Sequence, residues 1–324
     1  MAAILVTGAA GFIGSAYVRN ALTGAYPAQT DLSITVFDSL TLTGDHASLL
    51  PVAADPRLKI VVGDVCDGDA VDAAAFGHDT IVHFAAESHV DTSITSPARF
   101  AGTNLLGTQT LLDAARRHNI GRFVLVSTDE VYGSIDAGTA DETAPLAPSS
   151  PYAASKAGAE LLALAAHRTY GLEVVVTRGA NTYGPYQYPE KIIPLFLARL
   201  LRGERVPLYG DGLHTRSWLH VDDHCRAIEA ARVRGGAGRA YNLAGTADLT
   251  NRALTGMLLR AFGAGDDRIE PTPDRPGHDR RYALDDTRAR TELGWAPSVD
   301  FAEGLAGTVA WYRAHESWWS RFLP

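Results

Sequence analysis

The chain has 324 residues, of which 29 are basic and 37 acidic, for a net charge of −8, and 46% are hydrophobic. That balance supplies core material for one large domain or two ordinary ones, and it excludes a disordered chain or a surface built to hold bulk nucleic acid or anionic lipid. Two cysteines, Cys66 and Cys225, are too few for a disulfide framework or a four-thiolate zinc centre, and no metal site is expected. No apolar run approaches the ~20 residues of a membrane span, and Met1 leads directly into a strand pattern without a charged leader, so a soluble, cytoplasmic protein is expected.

In chain order, the residues 3–7 read as a first apolar strand and 12–22 as a helix, followed by strands at 33–38, 58–63, 80–84, 122–128 and 173–178. Helical periodicity runs through 100–118 and 152–170. Strands apolar on both faces with helices between them predict an α/β fold with a Rossmann-type, doubly wound parallel sheet. After Asn181 the chain becomes richer in Pro, Gly, Arg and aromatic residues, with helices expected over 191–202, 222–233, 251–262 and 301–315 and a short strand at 240–243. The expected division is an NAD-binding domain over 1–180 and a smaller, irregular substrate lobe over 181–324, with part of the chain returning to the sheet. The Trp318–Trp319 pair reads as packing.

Between the first strand and first helix, Gly8, Gly11 and Gly14 fall at i, i+3 and i+6, with Phe12 and Ile13 opening the helix. Glycine permits the tight turn and close backbone approach, while the helix N-terminus offers free N–H groups to a pyrophosphate. Asp38 closes the second strand, 24 residues after Gly14, where a carboxylate accepts from an adenosine ribose; that position favours NAD over NADP. Asp64, with Val65, ends the third strand, where it reads equally as an adenine contact or as a loop aspartate or helix cap.

Only three lysines occur, Lys59, Lys156 and Lys191, so a lysine inside a motif stands out. Tyr152 and Lys156 share a helix face by i,i+4 spacing, and Thr128-Asp129-Glu130 sits at the C-terminal end of a strand, the edge where open α/β sheets bind ligands. Lysine and a nicotinamide cation beside Tyr152 are expected to lower the phenol pKa and make it a base, with Thr128 on the same substrate oxygen. On spacing alone a surface Tyr–Lys pair would be the default, and the glycine loop shifts that reading toward function.

The segment Gly8 to Gly14 with Tyr152 and Lys156 resembles the extended short-chain dehydrogenase/reductases that act on sugar nucleotides. Thr128-Asp129-Glu130 together with Ala85-Ala86-Glu87-Ser88-His89-Val90-Asp91 is similar, more narrowly, to the dTDP-glucose 4,6-dehydratases, and so are the stretches around Tyr183-Gly184-Pro185, Val221-Asp222-Asp223-His224 and Arg275 to Tyr282. The resemblance implies NAD, held also by Ala85, Tyr152 and Lys156. It implies Glu130 as base at C5 and Asp129 as acid at the C6 oxygen of dTDP-glucose. It further implies Arg216 and Arg275 at the diphosphate, with Ser88, Thr128, Asn181, Lys191, Pro207, Tyr209, Asn251 and His278 around nucleotide and sugar, and a homodimer built on the 100–118 and 152–170 helices. Leu42, Asp45, Thr92, Thr182 and Ser217 depart from the family pattern. The rivals are a 4-epimerase or another enzyme on the same scaffold, which has no need of the acid–base pair, and a non-catalytic NAD sensor, which has no need of Tyr152.

Overall fold

The computed structural model describes residues 2–26, 32–41 and 46–323. The first six strands are β1 (Ala2–Thr7), β2 (Leu32–Asp38), β3 (Leu58–Val62), β4 (Thr80–His83), β5 (Arg122–Thr128) and β6 (Val174–Gly179). The later ones are β7 (Asn181–Tyr183), β8 (Val206–Tyr209), β9 (Thr215–His220), β10 (Arg239–Leu243), β11 (Ala247–Thr250) and β12 (Ile269–Thr272). Seven of them form one sheet in the order β10-β6-β5-β4-β1-β2-β3, with every neighbouring pair parallel. The sequence order reverses between β1 and β4, and at such a switch point the strand ends diverge to leave a crevice.

The helices follow from capping and periodicity. They are α1 (Phe12–Leu22), α2 (Gly68–Ala75), α3 (Val90–Thr95), α4 (Pro97–Phe100), α5 (Gly107–Arg117), α6 (Pro151–Tyr170), α7 (Ile192–Leu201), α8 (Val221–Arg234), α9 (Asn251–Ala261), α10 (Thr287–Leu293) and α11 (Phe301–Ala314). The helix expected over 100–118 is interrupted, because Ala101–Leu106 winds as a π-helix before α5 begins. Alternation along β1 sends Leu5 to one face of the sheet, beneath Val71 of α2, Leu111 of α5 and Ala163 of α6. Ile4 and Val6 go to the other face, against Tyr17 of α1 and Ile228 of α8.

After β6, apart from α8 and β10, which pack on or join the central sheet, the chain builds a second core in which Phe196, Trp218, Leu258, Tyr312 and Trp319 are buried together. It carries two small sheets, β11-β9-β7 and β12-β8. The strand at 240–243 is present, and it is the edge of the central sheet, paired to β6 from Arg239↔Val175 to Leu243↔Gly179. Among the described residues no helix is long and apolar enough to cross a membrane.

Candidate active site

A cavity of about 630 Å³ opens along the C-terminal ends of β1, β4, β5 and β6 and runs beneath the smaller sheets. Every residue named above as cofactor-binding, catalytic or substrate-binding lines it, from Gly8 and Asp38 at one end, through Thr128, Asp129, Glu130, Tyr152 and Lys156, to Tyr209, Arg216, Arg275 and His278 at the other.

At the first end Gly8 has φ of +68°, and a Cβ there would stand 2.3 Å from the Ala85 nitrogen. The turn after β1 therefore lies against the turn after β4 at a distance only glycine allows. Gly11 caps α1 without a side-chain hydrogen bond, which leaves the first-turn N–H groups facing the cavity. Asp38 is buried, its Oδ2 accepting from Ala10 N at 2.9 Å and its Oδ1 from Leu40 N at 2.9 Å. Burial raises its carboxyl pKa, while those two N–H donors oppose the shift. A glycine cradle, an open helix N-terminus and a carboxylate at the end of β2 together fit a dinucleotide. The helix cap considered for Asp64 belongs instead to Asp67, which accepts from Asp69 N and Ala70 N; Asp64 accepts from Cys66 N at 2.9 Å and lines the cavity.

In the middle, Thr128 ends β5 and caps a 3-10 turn, Asp129–Tyr132, by accepting from Glu130 N at 3.3 Å. Asp129 is buried, and its Oδ2 has no hydrogen-bond partner among the described residues. Burial and then the Glu130 charge push its carboxyl up to about 8. Glu130 is also raised by burial, but Lys191, Arg275 and Arg216 all pull the other way. Ser150 caps α6 by accepting from Ala153 N at 3.1 Å with Pro151 in the first turn, so Tyr152 and Lys156 enter the cavity from the start of a long helix.

The Lys156 ammonium is buried and donates to the Val126 carbonyl at 2.7 Å; burial pulls its pKa down to about 8, against the supporting charge of Glu160. The expectation for Tyr152 is corrected here. Burial, then the Glu130 and Asp129 charges, raise the phenol pKa far above the ordinary value, with only a hydrogen bond to Thr128 opposing them. The expectation counted a nicotinamide cation as well as the lysine; the protein's own groups, burial first, shift the phenol the other way.

At the far end Arg216 is buried, its guanidinium donating to the Asp279 and Thr215 carbonyls at 2.8 Å each and lying 4.2 Å from the Tyr282 ring centroid. Arg275 reaches Asp91 at 3.3 Å, and Tyr209 donates to the other oxygen of Asp91, also at 3.3 Å. Lys191 donates to the Ser88 carbonyl at 2.5 Å. His278 is held by Asp274 at 2.6 Å and stacks on His214 with ring centroids 3.7 Å apart and planes at 12°. Parallel stacked imidazoles cannot both aim a lone pair at one ion, so the His214–Asp274–His278 group reads as support for His278.

Sequence reasoning missed several contributors. Asp91 was quoted in a motif without a role, as were Asp279 and Tyr282, whose hydroxyl lies 2.9 Å from Asp279 and 3.5 Å from Glu130. Asn104 gave no signal at all, yet from the π-helix it holds Glu87 N at 2.8 Å and Ser155 Oγ at 2.8 Å, tying the β4 turn to α6. Of the departures, Thr92 bonds the His89 ring at 3.0 Å, Thr182 the His224 ring at 2.8 Å, and Ser217 accepts from Gly245 N at 3.1 Å. Leu42 and Asp45 lie outside the described residues.

Residues 5–308 match the model of the family described as GDP-mannose 4,6 dehydratase. The chain belongs to that family. Within it, this chain is 56% identical over 316 residues to a dTDP-glucose 4,6-dehydratase of Streptomyces niveus, covering 98% of this chain and 94% of the relative. The crystal structure of a dTDP-glucose 4,6-dehydratase from Streptomyces venezuelae with NAD bound superposes with a TM-score of 0.97 at 55% identity, covering 99% of each chain. A UDP-glucose 4-epimerase from Thermotoga maritima also superposes, with a TM-score of 0.87 at 32% identity over 96% of this chain and 99% of that one. The backbone of this family is thus shared between dehydratases and epimerases, and side chains in the cavity must distinguish them.

Proposed function

We propose that the chain is an NAD-dependent hydro-lyase that converts dTDP-glucose to dTDP-4-keto-6-deoxyglucose. The observation that carries this reading is the Asp129–Glu130 pair in one cavity with Tyr152 and Lys156. An epimerase needs the second pair of residues and has no task for the first.

NAD, which the Gly8–Gly14 cradle and Asp38 would hold, would supply the hydride acceptor at C4 and the hydride donor at C6, which makes the reaction redox-neutral. The protein moves the protons. To take the proton of the 4-hydroxyl Tyr152 must be a phenolate, a state that burial, Glu130 and Asp129 oppose; the buried Lys156 ammonium and a bound nicotinamide cation are the positive charges that would offset them, with Thr128 on the same substrate oxygen. The resulting 4-ketone acidifies C5–H, and Glu130, whose carboxylate is supported by Lys191, Arg275 and Arg216, removes that proton. Asp129, which keeps its own proton up to about pH 8, delivers it to the departing 6-hydroxyl, and water leaves. Glu130 then returns its proton to C5. Arg216 and Arg275 meet the diphosphate as planar guanidiniums, Tyr209 and Pro207 border the base, and Asn181, Asn251, Ser88 and His278 complete the nucleotide and sugar contacts.

The same reading includes a homodimer. Leu106, Leu161 and Tyr170, along the π-helix and α6, are 57%, 60% and 57% exposed, and Leu162 and Tyr170 flank a groove between α5 and α6. Both cysteines are free, as thiols are in a reducing compartment, which supports a cytoplasmic location.

The test is incubation with dTDP-glucose and with UDP-glucose, followed by the mass of the product. Loss of one water is expected with dTDP-glucose, and Glu130→Gln is expected to lower kcat by about 10²-fold or more. Normal turnover by Glu130→Gln, or no water loss with either sugar nucleotide, sinks the assignment.

A further inference from the structure

One buried polar network in the described structure has no part in the chemistry above. Glu160 lies one helical turn beyond Lys156 on α6, and its side chain is 0% exposed. Its Oε2 accepts from Arg178 Nε at 2.9 Å and Nη2 at 2.7 Å, and Arg178, near the end of β6, is 4% exposed. The remaining arm of that guanidinium donates to the Tyr132 hydroxyl at 2.6 Å. Tyr132 in turn donates to Asn242 Oδ1 on β10 at 2.8 Å, and the Asn242 amide is fixed by the Ala140 and Asp285 carbonyls at 2.9 and 3.1 Å.

A buried ion pair of this kind is a poor device for stability, since apolar side chains of similar volume serve as well or better. Its placement suggests another use. Tyr132 is the last residue of the 3-10 turn whose first two residues are Asp129 and Glu130. At its exit the turn is fixed by the backbone, where Val131 O accepts from Ala147 N at 3.0 Å, and Gly133 has φ of +71° with Ala147 O only 2.2 Å from where a Cβ would stand. Inside the molecule, Val131 and the Tyr132 ring pack among residues of α6, β6 and β10, and the Tyr132 hydroxyl adds the directional polar tie to them. One end of the network thus holds the helix that carries Tyr152 and Lys156, and the other holds the turn that carries the acid–base pair.

We infer that Tyr132, clamped by the Glu160–Arg178 pair and Asn242, is a positioning residue for the elimination half of the reaction: it sets the Asp129–Glu130 turn against the C5–C6 bond. This rests on the dehydratase reading. Removing the hydroxyl leaves the ring in place, the Ser150 cap of α6 and the Lys156–Val126 bond intact, and Thr128 still paired to β6 as the last residue of β5. Oxidation at C4 then survives while elimination slows, because an error of about 1 Å in a proton-transfer group costs up to about 10²-fold in rate.

The experiment compares wild type and Tyr132→Phe, each with NAD and dTDP-glucose, in single turnovers followed by the absorbance of the reduced nicotinamide and by the mass of the released sugar nucleotide. The expected result is a kcat about 10- to 100-fold lower, KM within about 2-fold of wild type, and a transient build-up of reduced nicotinamide and of 4-keto product that has kept its water. Thermal unfolding with NAD bound reports whether the variant is folded. Should it not fold, Asn242→Ser, which withdraws the acceptor and leaves the phenol and the ion pair, carries the same expectation. Equal loss of oxidation and elimination, as a merely structural role would give, overturns the inference, and so does a variant indistinguishable from wild type. Failure of the wild type itself to release water from dTDP-glucose is the separate outcome that overturns the dehydratase reading.

Discussion

Asp129 and Glu130 are adjacent in sequence and unlike in surroundings. Asp129 is enclosed, with one oxygen unpartnered, whereas Glu130 is half-buried and faced by three cations. The sign of the pH dependence follows. Below about pH 8 Asp129 carries the proton it must donate, and as the pH rises through about 8 that fraction falls, so kcat descends on the alkaline side. Lys156, pulled down to about 8 by burial, loses its charge over the same window, and the wild-type limb should be steeper than a single ionisation. In Asp129→Asn no transferable proton remains, kcat is expected about 10²- to 10⁴-fold lower, and the residual rate should fall with the slope of one group. A pH–kcat profile at saturating dTDP-glucose that stays flat through about pH 9 would contradict the assignment. Tyr152 shows where residue-level reading of a sequence ends. Its spacing to Lys156 was legible, but its upward shift comes from burial and then from carboxylates more than twenty positions away, both of which only the folded chain supplies.

At the scale of elements, the helix that carries Tyr152 and Lys156 depends on its first turn. Ser150 satisfies Ala153 N, and Tyr152 lies between them. Ser150→Ala is expected to cost about 1 kcal/mol of stability, read from denaturant unfolding, and to lower kcat by a larger factor than NAD affinity, because the frayed turn holds the phenol while the glycine cradle is untouched. An unchanged kcat beside a measurable stability loss would show that the cap supports the helix alone. Five of the six N-terminal strands and the long helices were legible because their apolar residues face cores or recur at helical spacing, and the edge strand β3 was legible from its apolar composition although Ile60 and Val62 are exposed. The small sheets were not: β7 has three residues, β8 and β11 four, and their burial is mixed along the strand. Their partners are also distant in sequence, so local pattern carries little of the pairing. The π-helix at Ala101–Leu106 is invisible for the same reason. Its effect is to aim Asn104 inward at Glu87 and Ser155, a contact 17 positions away on one side and 51 on the other.

For the molecule as a whole, the two cores meet over the cavity, and Asp91 on the sheet side grips Tyr209 and Arg275 from the other side. The site residues named from motifs all line the cavity, while the contact that spans the cleft was not legible, because its partners lie 118 and 184 positions apart. Assembly belongs to this scale too. The proposed dimer predicts that the wild type sediments as a dimer and that Leu161→Glu, which places a charge on the exposed α6 face, sediments as a monomer. A monomeric wild type at micromolar concentration would remove the dimer from the reading.

The parallel pairing of β10 with β6 has a consequence for biosynthesis. The nucleotide-binding half is not finished when its last consecutive strand, β6, leaves the ribosome. Its edge stays open, apolar and competent to pair with a stranger until Arg239–Leu243 emerges much later. The nascent chain must therefore protect a bare strand while most of the smaller lobe is still being made, and chaperone dependence or aggregation during synthesis should concentrate in that interval.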